Sequence, residues 1–305
     1  MIPFLLRRFV HGIIVLLAVA TFTFLLLRLA PGGPFDRERK LPPEVLANIE
    51  AKYHLDESLP RQYLRYLGGI VSGDFGPSYK YLDRGVNQII AETLPTSALL
   101  GALALLFAVI VAFPAGILAA HHRAGGIDRC AMFFSTLGIS VPHFILGALL
   151  IWGIALQLGW LQAGRWDRWS SVILPAITLG AAPAAYLSAL MRAALIDTLG
   201  EDFINAARAK GLKEIVVVLK HGLAPSLIPV FTVMGPLAAA LVTGSFVVEY
   251  VFAIPGMGRF FITAVTDRDY PLVMGVTLVY TALIFVANLL VDVLYGLIDP
   301  RVRTE

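Results

Sequence analysis

The sequence predicts an all-α, polytopic membrane protein with six membrane-crossing helices. Three observations carry that prediction. Of the 305 residues, 58% are apolar and only 15% are charged, whereas a soluble globular domain carries about 25% charge. Six apolar segments are long enough to cross a bilayer, which takes roughly 20 residues each. Two of the apolar stretches, 131–158 and 172–191, contain no Asp, Glu, Lys or Arg. They are too long and too evenly apolar for strands, and in hydrocarbon a helix pairs every backbone N–H and C=O within its own segment. The mean hydropathy of +0.78 agrees.

The first span is expected at about 9–30. Its basic start (Arg7, Arg8) is signal-peptide-like, but the apolar run from Phe9 to Leu27 exceeds the 7–15 residues of a cleavable apolar region, so an uncleaved span is expected. The remaining spans fall near 97–120, 131–158, 172–194, 226–249 and 272–297. Pro114, Pro142, Pro175, Pro183, Pro229 and Pro236 lie inside them. Each removes a backbone hydrogen bond and tends to kink its helix. Two readings remain open: a bundle bent around a pathway, or the ordinary abundance of proline in membrane helices.

Orientation follows from the cations of the short loops. With the N-terminus inside, the inner segments hold Arg7, Arg8, Arg123, Arg129, Arg192, Arg208, Lys210, Lys213, Lys220, Arg301 and Arg303, eleven in all. The outer loops hold four: Arg165, Arg168, Arg259 and Arg268. That bias places both termini in the cytoplasm. The expected organisation is then a cytoplasmic N-terminus with the first span (1–30), an extracytoplasmic loop (31–96), a five-helix core (97–298) with a cytoplasmic loop at 195–225, and a tail (299–305).

Loop 31–96 reads as a partly helical cap. In LPPEVLANIEAKYHL, Pro43 suits a first turn, Glu44 complements the positive helix end, and Leu46, Ile49 and Tyr53 share a face. SLPRQYLRYL repeats the design, with Ser58 as cap and Pro60 just inside. GDFGPS (73–78) is a turn cluster, and VNQIIAETL is expected to lead into the second span as an interfacial helix.

Several chemistries are excluded. No G-x-x-x-x-G-K-[ST] is present to cradle ATP phosphates, and no H-E-x-x-H or G-x-S-x-G. The six histidines lack metal-ligand spacing, and the single Cys130 cannot form an intrachain disulfide. Ser140 and His143 form the only candidate nucleophile–base pair within a span, and Pro142 between them disturbs its register. Glu249 and Asp292 near span ends are read as structural partners of loop cations. The net charge of +3 is loop bias rather than a nucleic-acid footprint.

The central basic segment, Met191 to His221, fits helix–turn–helix. Ala206, Ala207 and Ala209 favour helix and carry almost no side chain; Gly211 suits the position after a helix end. Ile215, Val216 and Leu219 form a membrane-facing stripe on the helix that follows. Small residues on an exposed helix let another protein's backbone come close, as in helix-in-groove recognition. A basic helix lying on anionic lipid is the alternative.

This segment resembles the EAA loop of permease subunits in bacterial ATP-binding-cassette importers. The pattern is E-A-A, three residues, G, nine residues, then I-x-L-P. Here Asn205-Ala206-Ala207 is followed by Gly211 and Leu223; Asn205 stands for the glutamate, His221 for the isoleucine, and Ala224 for the proline, with Pro225 one place later. LLLRLAPGGPF, INAARAKGL, TGSFVVEYVFAIPGMGRFF, DYPLVMG and DVLYGLIDPRVR extend the resemblance along the chain, to the B-type branch of the oligopeptide permease family. The resemblance implies a type I importer permease fold in the inner membrane and a role as a non-catalytic translocation subunit. It implies a homologous C-type permease, two ATPase subunits and a periplasmic peptide-binding protein as partners. ATP and Mg would be bound by the ATPase subunits, and no cofactor by this chain.

The same resemblance makes Phe203 to Gly211 a coupling helix seated in the ATPase groove. Phe203, Asn205, Ala206, Ala207, Arg208, Lys210 and Gly211 are its candidate contacts, with Arg208 and Lys210 placed to pair with acidic groove residues. Glu249, Pro255, Gly256, Met257 and Gly258 are candidates for the periplasmic gate or binding-protein contact; a re-entrant segment that only packs the bundle is the alternative. Dipeptide, murein-peptide and nickel permeases stay open as substrates. An ion-coupled secondary transporter is less favoured, since inverted repeats and midplane charges are not found.

Overall fold

The structure, a computed structural model, describes residues 2–35, 43–81, 83–164 and 166–298. The tail 299–305, with Arg301 and Arg303, and the side chain of Asp292 lie outside the described residues, as does Arg165. Among the described residues every regular element is a helix. Five helices are long and apolar enough to cross a membrane, and a bent pair makes a sixth crossing if counted as one. The chain divides into two compact units, Met1–Thr96 with Pro255–Val286, and Ser97–Ile254 with Ala287–Glu305.

The first unit begins with α1, Ile2–Leu29. Two cap helices follow, α2 Pro43–Lys52 and α3 Leu59–Ser72. Pro sits in the first turn of α3, and Gly73, at φ 73°, closes it through a left-handed turn that accepts no Cβ cheaply. Gly76 (φ 82°) donates its N–H to Asp74 Oδ1 at 2.9 Å, an Asx turn within GDFGPS. Helix α4 runs unbroken from Val86 to His121, 36 residues. The expected interfacial helix at 86–94 is therefore continuous with the second span. Nothing in VNQIIAETLPTS breaks a helix except Pro95, and a helix of this length spans about 54 Å, well beyond the hydrocarbon layer.

The knot of the first unit is Asp269. Its carboxylate is fully buried and accepts from the Ser78 hydroxyl, the Tyr79 N–H at 3.1 Å and the Lys80 N–H at 3.3 Å. It also accepts from Leu272 N–H at 3.3 Å, capping α13, Tyr270–Ile298. One side chain thus fastens the cap loop to the start of the last span. Around it Phe24, Tyr270 and Met274 are buried with Tyr63, Tyr66 and Tyr79 against them, and burial pushes the Tyr79 phenol up to about 12. Helix α1 meets α13 at Gly12, where a Cβ would run into the Phe285 ring.

The second unit is organised on α7, Trp169–Leu199. Its upper half packs Leu174, Ala176 and Leu179 with Leu100, Ala104, Leu241 and Phe252. Its lower half packs Ala184, Leu187, Met191 and Leu195 with Ala108, Ala112 and Val230. Small residues set the spacing: a Cβ on Gly180 would lie 2.5 Å from the Ala104 carbonyl, and one on Gly101 would enter the backbone at Leu241. Close backbone approach of this kind is how helices associate where lipid gives no hydrophobic preference.

Two expected spans are corrected. Segment 131–158 is not one helix: α5, Gly126–Ser140, and α6, His143–Leu150, continued by a π-helical stretch Ile151–Gln157, meet at 107°. Pro142 lacks an N–H, and the residue before it is pushed to extended backbone, Val141 at φ −83°, ψ 120°. The fifth span runs over Glu214–Val242 rather than 226–249. It comprises the single turn α9, Glu214–Val216, a π-helical turn Val217–Gly222 and α10, Leu223–Val242. Chain reversal at Gly244 (φ 77°) ends it, so Glu249 sits on a separate short helix, α11, Phe246–Val251. Helix α12, Met257–Asp267, completes the set.

Candidate functional site: the loop between α7 and α10

Helix α8, Asp202–Ala209, is the eight-residue rod between these two spans. Asp202 stands in its first turn, favourable at a helix N-terminus. Lys210 ends it, with its N–H on the Ala206 carbonyl, and Gly211 (φ 79°) turns the chain back. Ile204 and Ala207, three apart, share the inner face and are buried with Val217 and Leu199. Phe203, Asn205, Ala206, Arg208 and Lys210 are exposed.

This placement corrects one expectation. Ala207 does not face outward; its methyl packs inside this chain, and of the alanine pair only Ala206 presents a small residue to a partner. Arg208 has a partner within this chain: its Nη2 donates to Glu214 Oε1 at 2.8 Å and its Nε to Oε2 at 3.1 Å. Both partners are well exposed, so the pair contributes less than about 1 kcal/mol. It nonetheless fixes the turn, because the fork joins the end of the rod to the start of α9.

The rod's two anchors are stapled together. The Ser226 hydroxyl, buried in α10, lies 2.9 Å from the Thr198 hydroxyl of α7 and 2.7 Å from the Gly222 carbonyl. Gly222 lets the helices close: a Cβ there would meet Leu199 and Leu195 at 3.0 and 3.1 Å. A second clamp holds the neighbouring loop. Asp128 at the start of α5 is buried and accepts from Arg192 of α7, Nη2 to Oδ2 at 2.7 Å, and from the Ala124 N–H at 2.8 Å. Asp128 and Ser226 had no sequence signal beyond being polar residues near helix ends.

The other candidates divide. Glu249, Gly256, Met257 and Gly258 are buried, and among the five gate candidates only Pro255 is exposed. Within this chain Pro255 is thus the one of the five open to a soluble contact. Glu249 instead belongs to the turn that ends α11: its carbonyl accepts from Ile254 N–H at 2.8 Å, and its carboxylate lies where a Cβ on Gly244 would be. His143 Nδ1 lies 3.3 Å from the Thr178 carbonyl, an anchor between α6 and α7. Among the described residues no cluster of His, Cys, Asp and Glu fits a metal.

These elements define a polytopic, all-α membrane component with a short, stapled rod between two of its spans. The chain belongs to the family described as the binding-protein-dependent transport system inner membrane component, which it matches over residues 112–304, and its residues 1–100 match that family's N-terminal membrane component. It is 44% identical to the oligopeptide transport system permease protein OppB of Haemophilus influenzae, over 99% of this chain and 100% of the relative. It is 42% identical to OppB of Escherichia coli, with the same coverage, and 41% identical to the dipeptide transport system permease protein DppB of Bacillus subtilis, over 99% and 98%. A chain of the MetNI methionine ABC transporter shares the fold, with a TM-score of 0.51 and 19% identity over 67% of this chain and 95% of that one.

Proposed function

We propose that this chain is the permease subunit of an ATP-driven importer that carries oligopeptides across the inner membrane, with both termini in the cytoplasm. A second permease of similar fold completes the pathway, two ATPase subunits holding ATP and Mg dock at α8, and a periplasmic peptide-binding protein delivers the cargo. The relatives' names support the peptide substrate, and the DppB likeness keeps dipeptides as a second reading. Uptake competition between dipeptides and pentapeptides separates the two.

The observation that carries the coupling role is the stapling of α7 to α10 on either side of α8. A push on a rod held by floppy ends dissipates locally. Here Ile204 and Ala207 seat the rod on Leu199 and Val217, and Ser226 ties the two spans within one turn, so displacement of α8 moves both helices together. Fit on the exposed face, Phe203 and Ala206, outweighs charge, because exposed ion pairs such as those open to Arg208 and Lys210 contribute less than about 1 kcal/mol each.

The test is Ala206→Trp, with the ATPase subunits co-purified and peptide uptake measured. Loss of both, at normal membrane abundance of the permease, is the expected result, and uptake near the unmodified level would refute the role. Ala207→Trp differs: it overpacks this chain's own interior, at about 1–3 kcal/mol, and lowers abundance as well.

A further inference from the structure

The first unit holds a cavity of about 300 Å³ that the transport reading does not use. Its walls include the ends of two candidate spans. Phe24 and Arg28 come from the end of the span Leu6–Leu29, and Pro271 and Met274 from the start of the span Tyr270–Val291. Helix α3 supplies another wall through Gln62, Tyr66 and Gly69, one helical face at i, i+4 and i+7. The opposite face of α3 carries Leu64 and Val71, 67% and 90% exposed. A short helix with bare apolar residues on one side, beside two span ends and a belt of tyrosines, has the character of an interfacial element.

The polar groups of the cavity are unequally satisfied. Gln62 is 9% exposed. Its Nε2 donates to the Leu55 carbonyl at 3.1 Å and the Glu57 carbonyl at 2.8 Å. Both amide hydrogens are thereby used, which settles which end of the amide is oxygen, and that Oε1 accepts no hydrogen bond. The Tyr66 hydroxyl is buried without a partner too. Each such atom costs about 1–3 kcal/mol, and a native fold retains them where something else completes the bond. Arg28 adds a cation, its guanidinium 5.3 Å from the Phe24 ring centre and 5.2 Å from that of Tyr270.

Arg28, which also bonds the Tyr79 side chain, and Arg65 favour an anion there against the one carboxylate of the lining, Asp74; Gln62 Oε1 calls for an N–H or O–H, and the aromatic walls for carbon. We propose that the cavity holds the headgroup of a membrane phospholipid whose terminal group is a hydrogen-bond donor, ethanolamine or glycerol. The phosphate lies against Arg28 and accepts from the Tyr66 hydroxyl, and the ammonium or hydroxyl donates to Gln62 Oε1. The acyl chains run down the exposed apolar face of α1 at Leu25, Leu26 and Leu29. The volume lies at the lower end of small-molecule sites, about 300–1,000 Å³. Basic pockets between membrane helices are known to take lipid headgroups. Choline carries the same phosphate but has no N–H or O–H, so it leaves Gln62 unpaired.

That contrast makes the test. The full-length protein is reconstituted with phosphatidylethanolamine, phosphatidylglycerol and phosphatidylcholine of identical acyl chains, and retained lipid is read by native mass spectrometry. Retention of the first two about tenfold over the third is expected, the value of one buried hydrogen bond. Arg28→Gln lowers retention of all three; if that variant proves unstable, Tyr66→Phe, which removes one oxygen, lowers it about threefold. Equal retention of phosphatidylcholine, or no retention of any lipid, overturns the proposal. Displacement of bound lipid by millimolar glycerol 3-phosphate also overturns it, by assigning the cavity to a free phosphate ester. None of these readouts involves transport, so they stand or fall apart from the coupling role of α8.

Discussion

Helices α1 and α7 both cross the membrane, and they do opposite work. The most apolar window of α1 has mean hydropathy 2.5 and is 17% buried; that of α7 has hydropathy 1.6 and is 56% buried. In a soluble protein the more hydrophobic helix would be the inner one. Here lipid is as apolar as leucine, so hydrophobicity does not draw a helix inward, and close packing of small residues and hydrogen bonds does. Along α1 the buried positions among residues 6–29 are Gly12, Ala20 and Phe24, a single stripe at multiples of four. Along α7 the buried set includes Ala176, Gly180, Ala184, Ala185 and Ser188 on several faces. The greasier helix leaves most of its surface to its surroundings, and the plainer one is covered by its neighbours.

The strongest way to break this comparison is at Gly180. A leucine there drives a side chain into the Ala104 carbonyl and the Phe107 ring, 2.5 and 2.8 Å from its Cβ. Both are held by the helix–helix contact itself, so relief requires α4 and α7 to separate. We expect Gly180→Leu to cost about 4 kcal/mol or more, the range reserved for severe core disruption, and to leave no protein surviving detergent extraction and size-exclusion chromatography. A monodisperse, thermally unchanged variant would remove the close approach from the account of α7.

A smaller effect is expected at the clamp between α5 and α7. Asp128→Ala leaves Arg192 without its carboxylate. Arg192 keeps a quarter of its side chain exposed, so we expect about 2 kcal/mol, below the 3–5 of a fully buried pair. Thermal unfolding in detergent measures it. A double variant, Asp128→Ala with Arg192→Ala, should recover part of the loss, because the stranded charge is gone; full additivity of the two losses would mean the pair is not a unit.

The difference between the helices also explains what could be read in advance. Hydropathy reports contact with lipid, so the spans were legible, and Gly211 marked the end of α8 through glycine's tolerance of the left-handed region. Hydropathy is blind to which apolar residue faces another helix, so Ala206 and Ala207 looked equivalent until Val217 and Leu199 were placed against one of them. The break at Pro142 was detectable as a kink, but its angle depends on packing of α6 against α7, which no local pattern states. Asp269 carried a signal that was missed: Asp followed by Tyr-Pro ahead of an apolar run is a helix start, with an N-cap and a proline in the first turn. The three groups that it fastens, on Ser78, Tyr79 and Lys80 of one loop, lie some 190 positions away in sequence, and such long-range closure has no local trace.

The smallest expected effect sharpens the comparison from the other side. Phe22 of α1 is 67% exposed and is an aromatic residue in a very apolar helix, the sort of position that would be costly to truncate in a soluble core. If lipid is its environment, Phe22→Ala trades ring–lipid contact for methyl–lipid contact in both the folded and the separated states, and the hydrophobic term cancels. The thermal midpoint in detergent should move by an amount equivalent to less than about 0.5 kcal/mol, as for a surface substitution, while Phe24→Ala, two positions on and packed against Tyr63 at 5.2 Å between ring centres, should cost about 3 kcal/mol. Equal losses at the two positions would mean that Phe22 is covered by protein in the assembled complex, and would convert the lipid face of α1 into a subunit interface.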